Sequence, residues 1–225
     1  MIRSGKRGYL VPDFPITLKG RKTRARLIDA ARAVMSRRGV SQVTMADVAE
    51  EAGMSLGALY RYFANKEDLL DSLIGEIHED LYEVSSSKEA DFGKDPYAAL
   101  YASNYGYLKH YSDNRDVLRI LMEVITVDKH FRDFWWGMRQ RHIRRFLNAM
   151  RRSYGREGLS DSNALRRCEA LVSMVEMSAY AWFAQDDLNA ESPSIETAAK
   201  TVTDIWFDTF FGEQNQIASA KRVAP

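Results

Sequence analysis

The chain has 225 residues, 45% of them hydrophobic, which is enough for one or two domains with a buried core. The chain has one cysteine, Cys168, so it cannot form an internal disulfide. It contains no run of about 18 apolar residues, so the sequence predicts no membrane span. The N-terminus is basic but lacks the apolar core and cleavage pattern of a secretion signal, so we expect a cytoplasmic protein.

The net charge of +1 is unevenly distributed along the chain. Residues 1–66 contain 13 Lys and Arg against 5 Asp and Glu, a net of +8, whereas the remaining 159 residues have a net of −7. A basic segment of this kind is the electrostatic footprint of nucleic-acid binding. A basic surface that is merely solvated gives the same net charge. The charge therefore indicates nucleic-acid binding only if a sequence motif supports it.

The first elements are a basic arm and a helix. Residues 1–20 contain several glycines and prolines, which break regular structure, together with Arg3, Lys6, Arg7 and Lys19. We predict a flexible arm here, which either follows the DNA minor groove or has no role. Apolar residues at helical spacing then predict a helix from about Thr23 to Arg38.

The stretch from Thr44 to Lys66 predicts two short helices joined by a tight turn. Thr44 is placed to cap the first helix, Gly53 to end it, and Ser55 to cap a second helix that runs to Phe63. A helix, a short turn and a second helix form the unit that lays its second helix in the DNA major groove. The residues expected to contact DNA, through small size, hydroxyl groups, methyl contacts or charge, are Thr44, Ser55, Leu56, Gly57, Ala58, Tyr60, Arg61, Tyr62 and Lys66.

This stretch resembles the DNA-binding region of the TetR family of bacterial transcriptional regulators, over roughly residues 23–72. The positions that carry the resemblance are Ala46, Val48, Ala49, Ala52, Gly53, Ser55, Gly57, Leu59, Tyr60, Tyr62, Phe63, Lys66, Leu69 and Leu70. The chain departs from the family where members often have Thr in place of Ala58 and a polar residue in place of Leu56. We therefore expect Arg61, Tyr60, methyl contacts and DNA shape to give much of the specificity.

The rest of the chain predicts amphipathic helices and no strand, at about residues 66–84, 96–112, 113–127, 128–154, 161–188 and 192–212. The run from Val124 to Val127 has strand propensity, but its periodic neighbours favour a helix. A polar tail, predicted to fray, follows at 213–225. The predicted fold is all-α, with a helix-turn-helix DNA-binding domain at 21–66 and a helical ligand-binding and dimerisation domain at 67–212.

The sequence lacks the short motifs of common enzymes. It has no GxGxxG, Walker loop, GxSxG or HExxH, and His78, His110, His130 and His142 lack the Glu at i−3 of a di-iron bundle. We predict no cofactor, no metal site and no catalysis. The helical domain is rich in aromatic and methionine residues, which line ligand pockets between helices but also fill ordinary cores. The pocket candidates are Tyr105, Met122, Ile125, Phe131, Trp135, Met138, His142, Met174, Met177 and Trp182, with Arg139 or His142 as a polar anchor.

These expectations combine into a ligand-responsive repressor that binds a palindromic operator as a homodimer. The resemblance implies that the last two helices form the dimer interface, and their large apolar residues agree with this role. The expected effector is a bulky, mostly apolar small molecule. Two alternatives remain open: an activator or ligand-independent regulator of the same fold, and a helical binding protein or enzyme whose helix-turn-helix is vestigial.

Overall fold

The computed structural model describes residues 17–86, 92–154, 162–185 and 191–223. These residues form α-helices, one 3-10 turn and one π-helical turn, and no strand is present among them. The helices are α1 (Leu18–Arg38), α2 (Met45–Glu51), α3 (Leu56–Leu59), α4 (Lys66–Val84), α5 (Pro96–Asp113), α6 (Arg115–Val127), α7 (Lys129–Tyr154), α8 (Ser162–Ala179) and α9 (Ile195–Val223). The all-α prediction is therefore confirmed. The chain divides into two compact units, with the division inside α4 between Glu76 and Ile77.

The first helix begins earlier than the sequence predicts. The hydroxyl of Thr17 accepts a 3.1 Å hydrogen bond from the backbone N–H of Gly20, so it caps α1 five residues ahead of the expected start at Thr23. Lys19 consequently lies on α1 and not in the predicted arm. The other basic residues of that arm, Arg3, Lys6 and Arg7, lie outside the described residues.

Unit 1 packs α1, α2, α3 and the first half of α4 around a small apolar core. Its largest fully buried side chains are Leu27, Met35, Val43, Val48, Leu59, Phe63, Leu69 and Leu73. The apolar residues whose spacing predicted α1, such as Leu27 and Met35, belong to this core. Between α2 and α3 the chain turns at Gly53, whose φ of 61° lies in the left-handed region that glycine adopts without strain.

Unit 2 contains the end of α4 and helices α5 to α9. Helix α5 packs along α9, where the buried amide of Asn104 donates a 2.9 Å hydrogen bond to the hydroxyl of Thr203. The hydroxyl of Tyr97 donates a 2.6 Å bond to the carboxylate of Asp204 on the same pair of helices. Helix α8 passes directly into the π-helical turn Tyr180–Ala184, which packs on α6 and α8.

One glycine allows a close helix contact in unit 2. A Cβ atom added to Gly106 of α5 would lie 2.2 Å from the backbone oxygen of Val84, at the end of α4. That distance is far below van der Waals contact, so only a residue without a side chain lets α5 approach α4 here.

The C-terminal helix is longer than predicted. We expected it to end at Gly212 and a frayed tail to begin at residue 213, but α9 continues to Val223. A glycine inside a helix costs only about 1 kcal/mol, and the residues after Gly212 include good helix formers such as Glu, Gln, Ala, Lys and Arg. Among the described residues, no helix is both long and apolar enough to cross a membrane.

Candidate nucleic-acid interface and ligand cavity

Helix α3 is held in place by its own cap and by two buried side chains. The Ser55 hydroxyl accepts a 3.2 Å hydrogen bond from the backbone N–H of Ala58, as a helix N-cap does. Leu59 and Phe63 are buried in the unit 1 core, at 0% and 1% exposure. Helical hydrogen bonds continue beyond Leu59, since the Phe63 N–H bonds to the Leu59 carbonyl at 3.2 Å. The predicted second helix, from Ser55 to Phe63, is thus one α-helical turn, α3, followed by a hydrogen-bonded turn that ends at Phe63.

The outer side of this segment presents most of the residues predicted to contact DNA. Ser55, Leu56, Gly57, Tyr60 and Arg61 are exposed, and Ala58 and Tyr62 are half-buried. Leu56 and Tyr60 are 40% and 50% exposed although both are large and mostly apolar. Exposed residues of this kind in a basic unit offer methyl, ring and hydroxyl contacts beside a guanidinium group.

Gly57 stands at the centre of the exposed side of α3 with open space in front of it. A Cβ atom added to Gly57 would meet no atom within 4 Å. The packing of unit 1 therefore does not require a glycine at this position. The open space suits the close approach of another molecule to the backbone of α3.

Thr44 begins α2 within a network that fixes its side chain. Its hydroxyl and backbone N–H both donate to the carboxylate of Asp47, at 2.6 and 2.7 Å, and the Asp47 N–H returns a 3.3 Å bond to the hydroxyl. The guanidinium of Arg38 lies 2.9 Å from the same carboxylate. The hydrogen bonds from Thr44, followed by that from Arg38, lower the pKa of Asp47 to about 2. The predicted N-cap at Thr44 is confirmed, and Asp47 completes a capping box with it.

The side chain of Lys66 is half-buried and binds two backbone carbonyls. Its ammonium donates hydrogen bonds to the backbone carbonyls of Val40, at 2.7 Å, and Val43, at 2.9 Å. Two of the three N–H donors of the Lys66 ammonium thus connect the link between α1 and α2 to the start of α4. These bonds leave one donor of the ammonium, and the contact of Lys66 with DNA stays a prediction; the sequence does not indicate that two carbonyls lie within reach.

A cavity of about 300 Å³ lies inside unit 2. Its wall is mostly apolar and includes Leu81, Leu100, Leu118, Leu121, Met122, Trp135, Phe146, Val172, Val175 and Trp206. Such a cavity, at the small end of the usual range for ligand sites, suits one apolar or amphiphilic molecule. Helices α4 to α9 all contribute residues to it.

The cavity also contains charged and polar side chains that are largely buried. The Nε of Arg139 lies 3.5 Å from a carboxylate oxygen of Glu176, and both side chains are at most 15% exposed. Burial raises the pKa of Glu176 to about 7, although the positive charge of Arg139 acts in the opposite direction. Burial also lowers the pKa of His142 to about 3, so this imidazole is neutral at physiological pH.

Three of the ten predicted pocket residues line this cavity: Met122, Trp135 and His142. The other seven do not. Phe131 and Met138 are buried elsewhere in the core, Met177 is 58% exposed, and Tyr105, Ile125, Met174 and Trp182 are partly exposed outside the lining. On α8 the cavity receives Val172, Val175 and Glu176, whereas Met174 and Met177 lie on other faces of the helix.

The prediction also missed several polar residues of the cavity, among them Asn104, Tyr107, Arg145 and Glu176. One of them has a signal in the sequence. Glu176 follows Val172 and Val175 at helical spacing on an apolar stripe, where a carboxylate is unexpected. Arg145 has a structural partner, because it donates to the Tyr82 and Ser85 carbonyls at 2.6 and 2.7 Å, at the C-terminal end of α4.

Nothing in the described part of the chain gathers three His, Cys, Asp or Glu side chains into a metal-binding group. Cys168 is fully buried, and burial raises the pKa of its thiol to about 12. A thiol with that pKa stays protonated and unreactive at neutral pH. It is a core residue of α8, as its position on the apolar stripe predicts.

Comparison with known proteins identifies the N-terminal unit. Residues 27–73 match the family model described as bacterial regulatory proteins, tetR family. The chain is 35% identical over 82 residues to the HTH-type transcriptional regulator TtgR of Pseudomonas putida, covering 36% of this chain and 39% of that protein. It is 39% identical over 80 residues to the HTH-type transcriptional repressor KstR of Mycolicibacterium smegmatis, again covering 36% and 39%. The matched part is thus about two fifths of the length of these relatives.

The fold is similar to solved structures along most of the chain. A transcriptional regulator from Aquifex aeolicus superposes with a TM-score of 0.64, covering 82% of this chain and 99% of that one, at 17% identity. At this identity the likeness concerns the fold alone. Together with the family match at residues 27–73, it extends the resemblance from the helix-turn-helix to the helical bundle. Residues 27–73 therefore resemble the DNA-binding domain of the tetR family of bacterial regulatory proteins, and the chain as a whole has the fold of solved regulators.

Proposed function

We propose that the protein is a transcriptional regulator that binds double-stranded DNA through α3. The observation that carries this proposal is the exposed side of α3 and the following turn, where Leu56, Tyr60 and Arg61 surround the open backbone at Gly57. The net charge of +8 in residues 1–66 supports it, because positive charge concentrates the protein on the phosphate backbone. Such a regulator acts in the cytoplasm and catalyses no reaction.

The active form in this proposal is a homodimer. Leu165 of α8 and Ile205 of α9 are large apolar residues that are 37% and 42% exposed within a single chain, and Met177 of α8 is 58% exposed. A second copy of the chain would remove them from water. Two α3 helices then need a separation of about 34–36 Å to enter successive major grooves of a palindromic operator.

We propose repression as the output. One relative that matches the N-terminal unit, KstR, is named a transcriptional repressor. An operator-bound dimer represses by blocking polymerase. The alternative is activation, or regulation without a ligand, by the same fold. A reporter gene behind the operator separates them, because loss of the protein raises expression if it represses and lowers expression if it activates.

The proposed effector is a small molecule, mostly apolar, that occupies the cavity of unit 2. Helix α4 suits the transmission of its effect, because one continuous helix carries Leu69 and Leu70 of unit 1 and lines the cavity with His78 and Leu81. A ligand shifts the equilibrium only if it binds the DNA-competent and DNA-incompetent states unequally. Typical coupling of about 1–3 kcal/mol changes DNA affinity about 5- to 150-fold.

The test is a mobility shift with purified protein and fragments selected from random duplex DNA. A defined palindromic consensus, bound by two chains per duplex, is the expected result. A protein that retains the fold but selects no sequence and binds no duplex would instead support the vestigial helix-turn-helix alternative.

A further inference from the structure

Unit 2 contains three buried nitrogen atoms that have no hydrogen-bond partner in the described part of the chain: Arg139 Nε, His142 Nε2 and Trp206 Nε1. All three residues line the cavity. Arg139 and Trp206 are more than nine-tenths buried, at 9% and 6% exposure. Buried polar atoms are nearly always paired, and Arg139 Nε has the ion-pair contact with Glu176 at 3.5 Å, so the two atoms without any such partner, His142 Nε2 and Trp206 Nε1, indicate the position of a ligand's polar atoms.

All three orphans are donors. The Nε of a guanidinium and the indole nitrogen of tryptophan carry a hydrogen and cannot accept. For His142 the tautomer follows from its neighbour, since Arg145 Nη2 lies 3.4 Å from Nδ1 and a guanidinium can only donate. Nδ1 is therefore the acceptor, and the proton of the neutral imidazole sits on Nε2. The cavity offers donors that only oxygen or another acceptor of the ligand can satisfy.

The charges of the cavity have the same preference. Three arginines, Arg139, Arg145 and Arg152, line it against one carboxylate, Glu176, which lies beside Arg139. The partners of Arg145 are neutral: the Tyr82 and Ser85 carbonyls, the Ser85 hydroxyl and the Tyr82 ring, 4.4 Å from its guanidinium carbon. The lining of the cavity thus carries more positive than negative charge, which favours an anion over a cation.

The positions of the donors select one end of the cavity. His142 and Phe146 are four residues apart on one face of α7, and the ring of Trp206 lies 4.7 Å from that of Phe146. His142 therefore lies beside Arg145, whose Nη2 is 3.4 Å from Nδ1, and Trp206 packs against the next aromatic residue on the same face of α7. Much of the remaining wall is apolar, and the cavity volume of about 300 Å³ suits a small ligand.

We propose that the effector of this protein is an amphiphilic carboxylate, whose head group accepts hydrogen bonds from His142 Nε2 and Trp206 Nε1 beside Arg145. Its apolar body contacts the aliphatic and aromatic wall that Leu118, Leu121 and Val172 help to form. The inference rests on the proposed ligand-responsive function but concerns the cavity alone. It specifies the head group and leaves the body, a chain or a fused ring, to the test.

The test is calorimetric titration of the full chain, without DNA, with matched ligands below their micelle concentrations. Decanoate is compared with decanol and decyltrimethylammonium, and 2-naphthoate with 2-naphthylmethanol. At least one of the two carboxylates should bind about tenfold or more tightly than its neutral and cationic analogues, since a charge-assisted hydrogen bond is lost in each. Equal or tighter binding of the neutral or cationic analogues in both series would overturn the proposal.

Three variants test the named donors. Trp206→Phe and His142→Phe each remove one orphan N–H and keep an aromatic ring, and each should weaken carboxylate binding about tenfold. Trp135→Phe is the matched control, because Trp135 lines the same cavity and its indole nitrogen is not among the orphans. Binding by Trp206→Phe and His142→Phe as tight as wild type would overturn the site. If a variant fails to fold, the comparison of carboxylates with their neutral and cationic analogues on the wild type still tests the proposed preference for a carboxylate.

DNA binding is measured separately on the same samples. A protein that binds DNA but prefers no carboxylate refutes this inference and leaves the proposed regulator intact. A protein that binds decanoate at His142 but selects no DNA refutes the regulator and leaves the site intact.

Discussion

The ammonium of Lys66 donates a 2.7 Å hydrogen bond to the backbone carbonyl of Val40. A second bond, of 2.9 Å, reaches the carbonyl of Val43. Lys66 is the first residue of α4, and the two carbonyls belong to the link between α1 and α2. The side chain of Lys66 thus connects the start of α4 to the link between α1 and α2.

Replacing Lys66 should therefore affect stability more than DNA binding. Lys66→Met leaves two carbonyls without their donor, and we expect a loss of about 2 kcal/mol in the free energy of unfolding. Arg61→Met is the matched variant, because Arg61 is exposed on the proposed DNA surface and its loss should leave stability unchanged. It should lower DNA affinity and reduce the salt slope by about one if it contacts a phosphate.

Urea unfolding and fluorescence anisotropy at several salt concentrations measure the two effects. If Lys66→Met unfolds like the wild type but loses salt-dependent affinity, the hydrogen bonds to Val40 and Val43 do not define its role. If Arg61→Met changes the preferred operator sequence, Arg61 contacts a base and not only a phosphate.

Local signals explain which parts of unit 1 were predictable. Thr44, Ser55 and Gly53 act within three or four residues of themselves, so the caps and the turn follow from the sequence alone. The partners of Lys66 lie 23 and 26 residues away, and no local pattern indicates them. The start of α4 at Lys66 was predicted correctly, whereas the two carbonyl partners of that residue were not predicted.

The cavity was harder to predict because composition does not specify orientation. Aromatic and methionine residues occur on every side of α7 and α8, and only the packing decides which of them face the cavity. Met174 and Val175 are neighbours in the sequence, yet only Val175 lines it. An interior carboxylate such as Glu176 is a better guide, since burial of a charge has a cost that packing alone does not explain.

Gly57 provides a test that separates DNA contact from folding. Gly57→Val places a side chain where no atom of the chain lies within 4 Å of the Cβ, so unit 1 should fold with nearly unchanged stability. The same side chain projects toward the proposed DNA surface, and we expect at least a tenfold loss of operator affinity because it prevents close approach.

Gly75→Val is the control for that substitution. Gly75 lies on α4, and a Cβ there also meets no atom within 4 Å. It is not on the proposed DNA surface, so operator affinity should remain near the wild-type value. Equal losses for the two variants would mean that the Gly57 effect is not local to α3.

The contact at Gly106 predicts a large effect on unit 2. Gly106→Ala places a Cβ 2.2 Å from the Val84 carbonyl oxygen, so α5 or the end of α4 must shift. We expect unfolding to become easier by about 1–3 kcal/mol, as for other overpacked sites. Gly137→Ala on α7 meets no atom within 4 Å and should be neutral or stabilising. A thermal melt in which both variants behave alike would contradict the close contact.

Glu176 gives unit 2 a specific pH dependence. Burial raises its pKa from 4.5 to about 7, so the folded chain retains a proton that the unfolded chain loses between these values. The stability that protonated Glu176 contributes is complete below its unfolded pKa of 4.5 and is lost as the pH rises through about 7. The wild type should therefore lose stability relative to Glu176→Gln between about pH 5 and pH 8.

The difference between the two proteins isolates Glu176 from other groups. Burial lowers the pKa of His78 to about 4 and that of His142 to about 3, so both histidines contribute a stability that is lost as the solution becomes more acidic. They are present in both proteins and cancel in the comparison. Parallel melting temperatures of the two proteins across this pH range would show that the carboxyl group does not titrate there.

The most direct test of the central proposal is the affinity of the purified chain for its selected operator, measured by anisotropy between low and high salt. A dimeric regulator should bind with two chains per duplex, its log affinity should decrease linearly with log salt, and Gly57→Val should bind much more weakly. A folded, monomeric protein with no salt-dependent affinity for any duplex would contradict this proposal.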